Sequence, residues 1–142
     1  MRLHLYQDLQ YLCTSRDISA TDHLKNVETL SGQCSRAGIT HTDEDIITVL
    51  SDKQKLQPLF FGAGPAEPDI SLPDPFSYLS LPKGDYLFYQ FSDTSQEGIR
   101  DAVNDAESAL FQKGWSRQGA HIYIRGVKEG PGYALQVIIP LE

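Results

Sequence analysis

Apolar residues in this chain recur with two different periods. Between residues 22 and 37, Leu24, Val27, Ser31 and Cys34 follow one another at steps of three and four, with Leu30 alongside. That spacing predicts one face of a helix. Thr21 is placed to cap its start, and Gly38 to stop it in the left-handed conformation. A second helix is predicted from Gln96 to Lys113, with a stripe of Ile99, Val103, Ala106 and Leu110 and with Phe111 beside it. Thr94 and Glu97 have the spacing of a capping box, and Gly114 supplies the stop. Elsewhere the pattern is alternating or unbroken. Residues 3–15 and 77–91 read as long strands rich in aromatic side chains; 46–50, 56–61, 122–125 and 133–139 read as shorter ones. Each half of the chain thus runs strand, helix, strand, strand.

The two halves align at a constant offset of 76 residues: Gly38 falls on Gly114, Asp45–Leu50 on His121–Gly126, Leu59–Gly64 on Leu135–Pro140, and Leu5 on Leu81. The hairpin loops come out equal in length. Identity between the halves is low, so the agreement is one of pattern, and it predicts an internal duplication. Residues 65–75, with prolines at 65, 68, 73 and 75, read as an extended linker, because proline fixes φ and donates no hydrogen bond. The expectation is a single α+β domain over residues 1–142, with pseudo-repeats 1–64 and 76–142. Two βαββ units would share one antiparallel sheet, with a helix from each on one face and a ligand groove at the central seam.

Strand alternation assigns the lining of that groove. Leu135, Val137 and Ile139 read as facing the helices, so Gln136 and Ile138 face the groove. Ile122 and Ile124 read as core, so Tyr123 and Arg125 face the groove. The offset carries this to Phe60 and Gly62, and to Ile47 and Val49. Aromatic rings with one amide and one guanidinium suit a flat or apolar ligand with a few polar anchors. Alternatively, Tyr123 and Phe60 close a secondary core and Arg125 is solvated. Tyr86, Phe88, Tyr89 and Phe91 cannot all point one way; Tyr86 is a groove candidate. Trp115 either packs over the helix end or forms a wall of the groove.

Composition narrows the classes. The 142 residues carry a formal net charge of −7 and no Lys/Arg cluster, which disfavours a nucleic-acid partner. No apolar run approaches a membrane span, and residues 1–8 lack a signal-peptide hydrophobic region; a cytoplasmic location is the default. Cys13 and Cys34 belong to no metal-binding spacing and read as buried free thiols. The four histidines show no HxxxH or HxH spacing, so neither a metal nor another cofactor is expected. No GxSxG elbow or Walker loop is present. Gly62-Ala63-Gly64-Pro65 reads as a turn at a strand end, and Asp43-Glu44-Asp45 as a solvated loop before a strand.

The run Leu81-Pro82-Lys83-Gly84-Asp85-Tyr86-Leu87-Phe88-Tyr89 resembles the "LPAGxYAVF" opening of the GyrI-like small-molecule-binding domains, which also serve as effector-binding domains of AraC- and MerR-type regulators. The helix over 96–113, His121-Ile122-Tyr123-Ile124 and Val137-Ile138-Ile139-Pro140 follow in the family's order. The resemblance implies paired βαββ units and places Tyr123 at the family's tyrosine in the penultimate strand. The family commonly carries a glutamate four residues before the final proline, facing the pocket and attracting lipophilic cations. Here that position is Gln136, a neutral amide that donates and accepts hydrogen bonds, and its counterpart in the first half is Phe60. No helix-turn-helix precedes the first strand, so the expectation is a stand-alone copy.

The leading functional expectation is therefore a non-catalytic protein that binds a small organic molecule, as a sensor or by sequestration. Two others stay open: a hydrolase of small electrophiles, for which only Glu129, His121 and Glu142 are near in sequence, and a module that docks on a protein partner.

Overall fold

The computed structural model describes residues 1–16, 18, 23–50, 58–64, 72–74 and 76–142. Within these, the chain forms β1 (Arg2–Leu5), β2 (Leu9–Thr14), α1 (His23–Ala37), β3 (Asp45–Leu50), β4 (Pro58–Gly64), β5 (Phe76–Leu81), β6 (Gly84–Phe91), α2 (Gln96–Lys113), β7 (Ile122–Glu129) and β8 (Gly132–Pro140). The fold is α+β. The eight strands make one antiparallel sheet in the order β1-β6-β8-β7-β3-β4-β2-β5.

The predicted long strands 3–15 and 77–91 are each two strands, bent at residues 6–8 and 82–83. The bend follows from pairing. Arg2–Leu5 runs against Leu87–Gly84, and beyond the bend Leu9–Thr14 runs against Leu81–Phe76. The Asp8 carboxylate accepts the Lys83 backbone N–H at 2.8 Å between the two turns. Because β1 and β5 end the sheet while continuing directly into β2 and β6, the sheet curls until its ends meet. The predicted strand–helix–strand–strand half is therefore corrected to two strands, a helix and two strands.

Both helices cover the outer face of this curl. α2 buries Ile99, Ala102, Val103 and Ala106 against Leu87, Ile122, Ile124, Val137 and Ile139. α1 buries Leu30 and Cys34 against Leu12, Ile46, Phe61 and Ala63. Full burial of a side chain of this size contributes about 1.5–3 kcal/mol. α1 is rotated from its predicted stripe: Asn26 and Gln33 are buried with Leu30 and Cys34, while Leu24 is 66% exposed. The buried polar pair hides this face from a hydrophobic pattern. In α2 the stripe is as predicted, but Phe111 is 86% exposed, one position round from Leu110, which does pack on the core.

Gly38 and Gly114 end the helices at φ +71 and +69, and Ile39 and Trp115 return hydrogen bonds to Cys34 and Leu110. The α2 cap is Ser95, not Thr94. Its hydroxyl accepts the Gly98 N–H at 3.0 Å, and Asp93 accepts the Ser95 N–H at 3.0 Å. The cap predicted at Thr21, the loop 51–57 and most of the segment 65–75 lie outside the described residues. Cys13 and Cys34 are buried and unpaired. No described helix is long and apolar enough to cross a membrane.

Candidate functional site

The inner face of the curl carries the alternate residues of every strand. Strand register sets them in rows. One runs Phe60, Val49, Tyr123, Ile138, Phe88; the next runs Gly62, Ile47, Arg125, Gln136, Gln90. Of the residues expected to line a groove, Phe60, Ile47, Tyr123, Arg125, Gln136 and Ile138 therefore share this face. Tyr86 joins them on β6, opposite Pro140.

Over its centre, however, the expected groove is filled. Tyr11, Cys13, Ile47, Leu81, Tyr86, Phe88 and Ile138 form a second buried core, with Tyr123 packed against it. Two glycines in β4 make this possible. A β-carbon on Gly62 would lie 2.3 Å from Cys13 Sγ, and one on Gly64 would lie 2.7 Å from the Gln10 carbonyl oxygen. With no side chains there, β2 lies down on β4 and carries Tyr11 and Cys13 inward. Burial pushes the Cys13 thiol up to about 12. It also pushes the Tyr86 phenol up to about 12, and that phenol donates to the Pro82 carbonyl at 2.5 Å. The Tyr11 phenol is raised further still, by burial and by the neighbouring Asp45 carboxylate.

What remains accessible is a polar shelf at the margin of this core. Tyr123, Arg125 and Gln136 are half-buried there, and Phe60, at the end of its row, is 36% exposed. Arg125 is held rigidly: its Nε and one terminal nitrogen donate to the two Asp45 oxygens at 3.0 and 2.8 Å. The Tyr11 hydroxyl donates to Asp45 Oδ1 at 3.0 Å. The side chains of the pair are only 21% and 20% exposed. Directly across the strand from Arg125 stands Gln136. Its Oε1 is out of contact with solvent and accepts no hydrogen bond.

Asp45 and Tyr11 join this face without having been expected there, and of the two readings of Trp115 the packing over the helix end holds. Asp45 is not a loop residue but opens β3, and it puts a carboxylate on the inner face where none was foreseen. Counting the β3 alternation back two residues from Ile47 would have found it. Tyr11 was missed for the same reason, two residues before Cys13 on a strand whose face was not assigned. Trp115 is not part of the inner face. The left-handed turn at Gly114 sends it to the α2 side, where it packs against the outer core with the Arg2 guanidinium 5.4 Å over its ring.

As a chemical site the shelf is electrically balanced. The Asp45 carboxylate accepts from three donors, two of the Arg125 guanidinium and one of Tyr11. Beside the pair stand the Gln136 amide and the Tyr123 ring, both half-buried.

No protein-family model matches the chain, and no curated protein matches it in sequence. Solved structures do match in fold. One is the structure of SAV2435 bound to tetraphenylphosphonium: it superposes with a TM-score of 0.58 at 9% identity, covering 100% of this chain and 93% of that one. At that identity the likeness is one of fold: the eight-stranded curled sheet with its two helices is an architecture on which a protein bound to an organic cation is also built.

Proposed function

We propose that this chain is a small-molecule-binding domain that takes its ligand on the shelf of Tyr123, Arg125 and Gln136 at the inner face of the sheet, without catalysing its conversion. The observation that carries the reading is the group of half-buried Tyr123, Arg125 and Gln136 on neighbouring strands of the inner face, an aromatic ring and an amide beside a paired charge. That a neighbour of the same fold is bound to tetraphenylphosphonium supports the same class of function.

The proposal extends to descent. The chain is one domain of GyrI-like kind, made of two copies of one unit, 1–64 and 76–142, joined by residues 65–75. Three features support this. The pairs Ile47–Gly62 and Tyr123–Ile138 are related by the same step of 76 residues. Thr48 pairs with Ile124, its own counterpart 76 positions on. Equivalent glycines end both helices.

Titrating the isotope-labelled chain with tetraphenylphosphonium and with Nile red, a neutral flat dye, tests the site. Amide shifts should concentrate on β7 and β8. Gln136→Glu should raise affinity for the cation about tenfold, through the coulombic attraction of a carboxylate in a partly desolvated place, and leave the neutral dye weaker or unchanged. Equal affinities of both dyes for both proteins, or shifts confined to the outer side of α2, would overturn the reading.

A further inference from the structure

We infer that the chain associates with a second copy of itself through the outward flank of α2, with Phe111 of each copy seated in a hollow on the other. This surface lies on the helical side of the sheet and is independent of the inner shelf.

α2 carries two stripes. Ile99, Ala102, Val103 and Ala106 face the core. Asn104, Ser108 and Phe111 follow one another at steps of four and three on a flank turned to solvent, with Glu107 and Gln112 beside them. Among the described residues these five line an open hollow of about 450 Å³. A benzene-sized ring needs about 150 Å³, so the hollow has room for one brought from outside. At its rim stands Phe111, 86% exposed, more than any other large hydrophobic side chain among the described residues. Phenylalanine is only a middling helix former, so helix formation gains nothing from it at that position. A projecting ring and a hollow on the same helix are self-complementary. With the two helices antiparallel about a two-fold axis near Ser108, each Phe111 stands opposite Asn104 and Ser108 of the other copy.

Charge decides the occupant. The chain carries a net charge of −7, so two copies repel unless the surfaces that meet are free of charge. Asn104, Ser108, Phe111 and Gln112 are uncharged, and Glu107 is paired with Arg117 at 3.5 Å, the two side chains being 20% and 24% exposed. The exposed charges of Glu97, Arg100 and Asp101 lie nearer the start of α2, two to three turns from the axis. They form a charged rim around an uncharged centre with an aromatic anchor, the usual anatomy of an association surface. A small ligand in so open a hollow would keep much of its surface in water, where ligand pockets bury most of it; a second helix covers hollow and ring together.

Sedimentation equilibrium of the full chain from about 10 μM to about 1 mM tests this, a range set by a single-helix contact at the small end of interface sizes. Wild type should form dimers within it. Phe111→Ser should weaken the dimer at least about tenfold, as loss of a central aromatic anchor does. Leu24→Ser, which removes a 66% exposed side chain from α1, should leave it unchanged. Under mild oxidation Ser108→Cys should give an intermolecular disulfide. Asp101→Cys should not, since seven residues on each side of the axis separate the two thiols by about 20 Å; Cys13 and Cys34 are buried and do not compete. All four substituted side chains are exposed, and an unchanged circular dichroism spectrum checks that each variant is folded. Wild type that stays monomeric at about 1 mM overturns the inference, and shifts of α2 amides on adding tetraphenylphosphonium would then name a small molecule as the occupant. A dimer that survives Phe111→Ser, or one that links through Asp101→Cys as readily as through Ser108→Cys, overturns the assignment to this face.

Discussion

Asp45→Asn and Arg125→Met, singly and together, measure what the ion pair on the inner face contributes. With charge centres about 4 Å apart and an effective dielectric near 20, the gross attraction is about 4 kcal/mol. The side chains are only about a fifth exposed, so folding strips most of the water from both groups, and that desolvation offsets roughly half of the gain. Two charge-assisted bonds in a fixed fork then leave a net coupling of about 2 kcal/mol. Each single substitution should cost about as much. Asp45→Asn leaves a guanidinium facing an amide, and Arg125→Met leaves a carboxylate with only the Tyr11 hydroxyl donating to it. The double variant should be little worse than either single one, because no unpaired charge remains. In a domain of this size 2 kcal/mol corresponds to about 6 °C in Tm. Urea denaturation of the four proteins, read by circular dichroism and by Trp115 fluorescence, closes the cycle. Losses that add to within about 0.5 kcal/mol would show the two residues to be uncoupled, and the picture of a neutralised shelf would fall with that result.

Gly62→Ala should destabilise the fold by about 2–3 kcal/mol, since its methyl would meet both Cys13 Sγ and, at 2.8 Å, the Leu12 carbonyl oxygen; a loss below about 0.5 kcal/mol in urea would mean that β2 and β4 do not lie as close as described. The Cys13 thiol is raised from an ordinary 9.0 to about 12 by burial, so the folded chain keeps a proton that the unfolded chain releases. Its contribution is present below about pH 9 and is lost as pH rises toward 12. Stability should therefore fall from about pH 9 upward, less steeply in Cys13→Ala, and the native thiol should resist alkylation at pH 8 because little thiolate exists; prompt modification of the folded protein would contradict this.

The inward and outward faces of β7 and β8 were legible in the sequence, because Ile122, Ile124, Val137 and Ile139 alternate strictly with Tyr123, Arg125, Gln136 and Ile138. Alternation is a local signal, and it placed Tyr123, Arg125 and Gln136 on one face. The bends at residues 6–8 and 82–83 were not legible, since they arise from pairing between segments some eighty residues apart. The filling of the groove depends in turn on those bends, which bring Tyr11, Leu81 and Tyr86 together inside the curl. The rotation of α1 was hidden because its buried face includes Asn26 and Gln33, which no hydrophobic count assigns inward. Asp45 was passed over because three consecutive acidic residues resemble a solvated loop, although the third already obeys the alternation of the strand behind it.

The exchange of strands across the curl bears on how the chain is made. Among the described residues β1 has β6 as its strand neighbour: Arg2–Leu5 pairs with Leu87–Gly84, and β2 needs residues 76–81 to cover its outer edge. During synthesis at roughly 5–20 residues per second, the first strand waits about 4–16 s before its partner exists. Until residues 76–81 follow, the one strand beside β2 is β4, with α1 packed over Leu12. Contacts of such long sequence separation also place loop closure ahead of most stabilising interactions, which makes folding slow relative to a helical domain of the same length. Two isolated halves would each present the open strand edges that the complete chain conceals, and open edges recruit other chains. Carried on one chain, the later strands cover those edges without a second molecule.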